Sequence, residues 1–211
     1  SPHTTMLLIS SFATGTILVT ATNHWLMAWI GLELNTLAII PLLASPQTPR
    51  TTEATTKYFL IQACASATLL FAATLNANIT NQWDLTQITT QPASTLMTAA
   101  LLMKLGLAPL HAWLPEAMQG ATLPMALILA TWQKLAPIAL LYTTSHTLHL
   151  PTILTFAALS TAIGGWGGLN QTQLRKLMAF SSIAHMGWTI SIVTLNLQLT
   201  LNTLMIYIIM T

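Results

Sequence analysis

The sequence predicts an all-α protein that crosses a membrane many times, on three observations. First, 54% of its 211 residues are apolar and only 5% are Asp, Glu, Lys or Arg, against about 25% charged in an ordinary soluble domain. The mean hydropathy of +0.66 agrees. Second, the apolar residues fall into stretches near the ~20 residues that cross a hydrocarbon core. Third, nothing in the chain alternates as a barrel strand would.

The stretches run at about 4–21, 24–44, 55–76, 94–110, 122–143, 152–169 and 177–195, and an eighth begins near 199. The links SPQTPRTTE, NANITNQWDLTQITTQP, TTSHTLHLP and LNQTQLRK close the second, third, fifth and sixth stretches. Each holds the Pro, Asn, Ser or Thr residues that end helices. Threonine inside the spans is tolerated because its hydroxyl can bond back to the preceding turn. Counting helices alternately, one side receives Arg50, Lys57, Arg175 and Lys176, and the other receives Asp84 without any Lys or Arg. The positive-inside rule makes the first side the cytoplasm or an organelle matrix.

Composition also excludes. A net charge of +2 from scattered residues offers no basic patch, so nucleic-acid binding is not expected. A single cysteine, Cys64, precludes an internal disulfide and reads as a small buried packing residue. The N-terminal SPHTTMLLISSFATG shows no secretory or import signal, and the final LNTLMIYIIMT stops inside an apolar run. The chain is therefore read as a fragment or the start of a longer protein. No nucleotide-binding glycine loop, metal-ligand cluster or Ser-His-Asp arrangement is present. GGWGG at 164–168 closes an apolar helix and reads as close packing or a helix end. His24, His146 and His149 lie at helix ends or in loops, without the mid-helix pairing that a bis-histidine haem needs.

Three charges remain, each inside its own apolar span: Glu33, Lys104 and Lys134. A lone charge at mid-bilayer costs roughly 2.5–3.5 kcal/mol on insertion scales, so it marks an ion or proton pathway by default. The bland alternative is one structural ion pair with the other lysine reaching to the surface. In a relay, by contrast, burial favours the neutral amine and a nearby carboxylate favours the ammonium. A lysine balanced between them can load and release a proton.

Proline sharpens the picture. Pro109 cannot donate to the carbonyl of Leu105, beside Lys104, and Pro137 frees the carbonyl of Gln133, beside Lys134. LGLAPLHAWLPEAMQG adds a second break at Pro115, flanked by Gly106 and Gly120. This is the pattern of a discontinuous helix lining an ion site, with an ordinary proline kink as the alternative. His111 falls inside the break, where it either shuttles protons or bonds a freed carbonyl. His185 shares a helix face with Ser181 and Ser182, a polar stripe more typical of packing than of a pathway. Glu116 suits the first turn of a short helix after Pro115. Glu53 and Lys57, four apart, read as a local ion pair.

The strings NHWLMAWIGLELNTLAIIPLL, EATTKYFLIQA, KLGLAPLHAWLPEAMQG, TWQKLAPI and GGLNQTQLRKLMAFSSIAHMGW together resemble a known family along essentially the whole chain. It is that of the proton-translocating, antiporter-like membrane subunits of respiratory NADH:ubiquinone oxidoreductase (complex I), in the animal, organelle-encoded form. Cation/proton antiporter subunits of bacteria are similar. The resemblance implies an antiporter-like bundle with a broken helix and inverted repeats. Residues 1–143 would form the first five-helix repeat. Residues 144–211 would begin the second, which lacks its own broken helix and buried lysine, so this stretch is not expected to pump by itself.

By resemblance, Glu33, Lys104 and Lys134 are the proton relay, and His111 and His185 are further candidate shuttles. Glu33 and Lys104 are expected as an ion pair whose strength changes and pushes a proton toward Lys134. No cofactor is expected on this chain; NADH and ubiquinone serve the whole complex. The implied partners are the other membrane-arm subunits and the lipid bilayer of the mitochondrial inner membrane. The rivals are a structural or assembly subunit without its own channel, and a stand-alone cation/proton antiporter. Dependence on NADH oxidation separates the last from the favoured reading.

Overall fold

The computed structural model describes residues 2–45 and 47–211. Its helices are α1 (Pro2–Ala21), α2 (Trp25–Leu43), α3 (Pro49–Thr80), α4 (Gln91–Leu105), α5 (Trp113–Gly120), α6 (Leu123–Ala130), α7 (Leu135–Thr143), α8 (Leu150–Leu169), α9 (Leu174–Val193) and α10 (Leu197–Met210). A single 3-10 turn, Trp132–Lys134, separates α6 from α7. Among the described residues, five segments are long and apolar enough to cross a membrane: His3–Ala21, Trp25–Leu43, Pro49–Thr80, Leu123–Thr143 and Leu150–Leu169. The α4–α5 pair is a broken pass, and α9 is as long as α8 but opens with Arg175 and Lys176 in its first turn.

The bundle is a polytopic transmembrane α-helical one, and local chemistry fixes the ends of its elements. At the start of α3, Thr48 and Thr51 form a capping box ahead of Pro49, so the helix begins six residues before the expected span. It ends on Asn81 in the left-handed conformation, φ 56°. The His24 ring accepts from the Leu26 amide at 3.2 Å and so caps α2, and it stacks on Trp83. Most Ser and Thr hydroxyls donate to carbonyls three or four residues back in their own helix, as with Thr16, Thr55 and Thr189.

Glycines set the closest crossings. A Cβ on Gly31 of α2 would lie 2.9 Å from the Gly15 carbonyl of α1, and one on Gly164 of α8 would lie 2.6 Å from the Ala184 amide of α9. The glycine-rich 164–168 segment is thus both a packing face and the end of α8, as its composition suggests. Cys64 departs from expectation. It is exposed on the outer face of α3, because the buried side of that helix falls to Gln62, Ala65 and Ser66.

Loops at one end are tied together. The Trp25 amide bonds the Trp83 carbonyl and the Leu85 amide bonds the Asn23 carbonyl, joining the α1–α2 and α3–α4 links. Ser94 Oγ donates to the Thr147 carbonyl beside them. At the opposite end, Arg50, Glu53, Lys57, Glu116, Gln119 and Lys176 line a cavity of about 420 Å³. Arg175 donates to the Ala121 carbonyl at that end. The basic residues therefore gather on one side, the side that the positive-inside rule assigns to the cytoplasm or matrix.

Candidate functional site

The site is a buried polar strip that runs between two helix breaks. Lys104 and Lys134 are each 3% exposed. Glu33, half-buried on α2, is the third charge.

At the first break, α4 stops at Leu105. Gly106 takes φ +76°, a conformation in which a Cβ would be strained. The Gly106 amide bonds the Met103 carbonyl and the Leu107 amide bonds the Leu102 carbonyl, which is a Schellman ending. The break is therefore made at Gly106, before Pro109 is reached. Pro115 makes no second break, since it sits in the first turn of α5, where a missing amide hydrogen is tolerated. Side chains add bonds to the carbonyls at the break. Trp113 Nε1 donates to the Met103 carbonyl at 3.3 Å, and Gln62 Nε2 donates to the Lys104 carbonyl at 3.3 Å. The buried Ala108 amide donates to Ser160 Oγ of α8 at 2.9 Å. The Lys104 amine itself is buried without a hydrogen-bond partner among the described residues.

The second break surrounds Lys134. Pro137 is compatible only with the first turn of a new helix, and the preceding residues tighten into the 3-10 turn. The Lys134 amide bonds Thr131 O at 3.2 Å, so the Ala130 carbonyl loses its usual partner. Tyr207 of α10 supplies one, donating its hydroxyl at 2.6 Å. The Lys134 amine donates to that same hydroxyl oxygen at 3.1 Å and stands 4.9 Å from the centre of the ring. The carbonyl captured in this way is that of Ala130, whereas the sequence pointed to Gln133.

α3 links the breaks. Tyr58, Gln62 and Ser66 recur every four residues and so share one face, which is buried. Ser66 Oγ donates to Glu33 Oε2 at 2.5 Å, and Gln133 Nε2 donates to the Tyr58 hydroxyl at 2.9 Å. The Glu33–Lys104 ion pair expected from sequence is not formed. Glu33 engages Ser66 instead, and the Lys104 amine has no hydrogen-bond partner among the described residues. Sequence reasoning missed Tyr58, Gln62, Ser66 and Tyr207. The four-residue spacing on α3 was the available signal for the first three.

The histidines separate. His111 Nδ1 lies 3.2 Å from the Pro109 carbonyl within the break loop, and its ring meets Phe180 edge-on at 6.3 Å. The bond to a loop carbonyl is thus made. His185 and Ser181 face outward while Ser182 is buried, so they do not line one buried stripe. The His185 ring nonetheless lies 5.9 Å from Tyr207. Lys57 forms the expected pair with Glu53 at 2.6 Å and a second, unexpected one with Glu116 at 2.6 Å, which ties α3 to α5. Among the described residues, no three His, Cys, Asp or Glu side chains are grouped as metal ligands.

Chemically, the strip offers two amines, a carboxylate, phenols and amides, all of them able to exchange protons or hydrogen bonds. The chain is 56% identical to NADH-ubiquinone oxidoreductase chain 2 of Varanus melinus over 99% of its length, covering 60% of that protein. It is 57% identical to the protein of the same name from Tetraodon nigroviridis over its full length, covering 60% of that protein. It thus spans about three-fifths of these curated relatives. Among solved structures, a chain of respiratory complex I from Thermus thermophilus with bound Aureothin superposes with a TM-score of 0.91 at 31% identity. That match covers 97% of this chain and 48% of the other. The Mrp complex of Dietzia sp. shares the fold, with a TM-score of 0.85 at 18% identity over 95% of this chain and 41% of the other. Residues 22–211 match the model for the transmembrane region of NADH:quinone oxidoreductase and Mrp antiporters, and the chain belongs to that family.

Proposed function

We propose that this chain is part of a membrane-arm subunit of a NADH:ubiquinone oxidoreductase of the mitochondrial inner membrane. In this reading it neighbours other membrane-arm subunits and converts redox energy released elsewhere into proton movement. Residues 1–143 act as the first repeat and residues 144–211 begin the second. Glu33, Lys104 and Lys134 carry the proton, and Tyr58, Gln62 and Ser66 connect them. NADH and ubiquinone are substrates of the whole complex, and this chain supplies no redox centre.

The observation that carries this reading is the Lys104 amine, buried and without a partner in the protein among the described residues. A lysine kept to hold helices together would be paired, because an unpaired buried charge destabilises by about 3–5 kcal/mol. An unpaired amine on a polar strip is instead free to gain and lose a proton as the charge near it changes. Glu33, restrained by Ser66, is the nearby charge. The relay acts through the field of Glu33 on Lys104, with no contact between them.

The test is Lys104→Met in the assembled enzyme, with protons translocated per electron measured beside the rate of NADH oxidation. Normal assembly with a joint fall in pumping and coupled turnover is the expected result. Unchanged values for both would make Lys104 structural and end the relay reading.

A further inference from the structure

We infer that Tyr207 is the positioning residue for Lys134, holding its amine at the helix break while taking no part in carrying the proton. The inference rests on the relay reading above and goes beyond it by giving a role to a residue outside the first repeat.

The hydroxyl of Tyr207 has one hydrogen. It is committed to the Ala130 carbonyl at 2.6 Å, which the 3-10 turn has stripped of its usual amide donor. What the oxygen has left to offer Lys134 is a lone pair, and the amine donates into it at 3.1 Å. Accepting a proton from Lys134 and passing it on would require Tyr207 to release Ala130. That carbonyl, buried at mid-depth, would then be unsatisfied, which membrane interiors do not tolerate. Tyr207 is therefore an anchor. One hydroxyl closes the defect in the helix and fixes the direction of the amine, which also stands over the ring, 4.9 Å from its centre.

The placement of Tyr207 supports this. It is buried on α10 beside Leu204, one turn away on the same face. The start of α10 is capped by Asn196, whose side chain accepts from the Gln198 and Leu199 amides. The ring also lies 5.9 Å from that of His185 on α9. Lys134 is thus oriented by a helix that follows it in the chain by 73 residues, and a shift of α10 would re-aim the amine and draw on the Ala130 carbonyl of α6 together.

Tyr207→Phe removes one oxygen and keeps the ring. Together with Lys134→Met and the double variant, it is examined in the assembled enzyme. NADH oxidation by a water-soluble electron acceptor reports assembly, and quinone-coupled turnover with proton translocation reports the relay. The expected result is normal assembly in Y207F, an unchanged KM for NADH, and coupled turnover lowered about tenfold, the scale of one hydrogen bond to a charged group. The double variant should fall no further than K134M, because Tyr207 acts through that lysine. The inference is overturned if Y207F stays within about twofold of the parent, if the two losses multiply, or if Y207F fails to assemble and so proves purely structural. If K134M itself pumps normally, the relay reading fails first; a defect in Y207F alone would then overturn the coupling to Lys134 independently.

Discussion

The two buried lysines are alike in exposure and in standing at a break, yet they are held in opposite ways. At the first break every polar contact goes to the backbone, with Trp113 and Gln62 bonding carbonyls while the Lys104 amine has no partner. At the second, Tyr207 bonds both the backbone and the amine, so Lys134 is held by its own tip. The backbone differs as well. The first break needs a left-handed residue, Gly106, whereas the second is reached at Thr131 with φ −108°. A lysine free at its tip responds to charge, and a lysine tethered at its tip responds to movement of the helix that tethers it. In the proposed relay, one strip would thus hold an electrostatic receiver and a mechanical one.

The comparison can be broken most forcefully at the backbone. Gly106→Val places a branched side chain at φ +76° and 3.1 Å from the Trp113 ring. A cost of about 3 kcal/mol is expected, visible as a lower melting temperature or as lost assembly of the intact enzyme. Thr131→Val at the other break loses only a bond to its own helix and should cost less than about 1 kcal/mol. Equal effects would mean that the two breaks do not differ as described.

A smaller effect separates the charges. Ser66→Ala removes the hydroxyl that holds Glu33, and a bond to a carboxylate contributes roughly 1.5–3 kcal/mol. In the assembled enzyme the carboxyl band of Glu33 in difference infrared spectra should shift, and coupled turnover should fall. A band that stays in place would remove Ser66 from the Lys104 side of the strip.

The smallest effect lies at the aqueous end. Lys57→Gln deletes pairs with Glu53 and Glu116, all of them substantially exposed. Surface pairs contribute little and are screened. A slight drop in melting temperature at low salt should vanish at high salt. A large, salt-resistant loss would show that the tie between α3 and α5 supports the first break.

Glu33, Lys104 and Lys134 were legible in the sequence because a charge in an apolar span is costly wherever it faces. Gly106 and Pro109 marked the first break because their backbone limits are local. The partners were not legible. Gln62 lies 42 residues from the carbonyl it caps, and Tyr207 lies 73 from Lys134. Neutral polar residues are common in these helices and carry no local signal. The Glu33–Lys104 pair failed as an expectation because opposite signs in two separate spans fix neither depth nor rotation. The outward turn of Cys64 and His185 was hidden for the same reason.

The carbonyls at both breaks are stoppered by side chains from elsewhere in the bundle, Trp113 and Gln62 at one and Tyr207 at the other. An interrupted helix is usually pictured as a pivot. Here the interruptions are splinted, so bending them means losing bonds that neither lipid nor a neighbouring turn can replace. The cheap motion left is rotation of the Lys104 side chain, whose amine no bond holds among the described residues. In the proposed relay the breaks would then serve as fixed sockets and not as hinges.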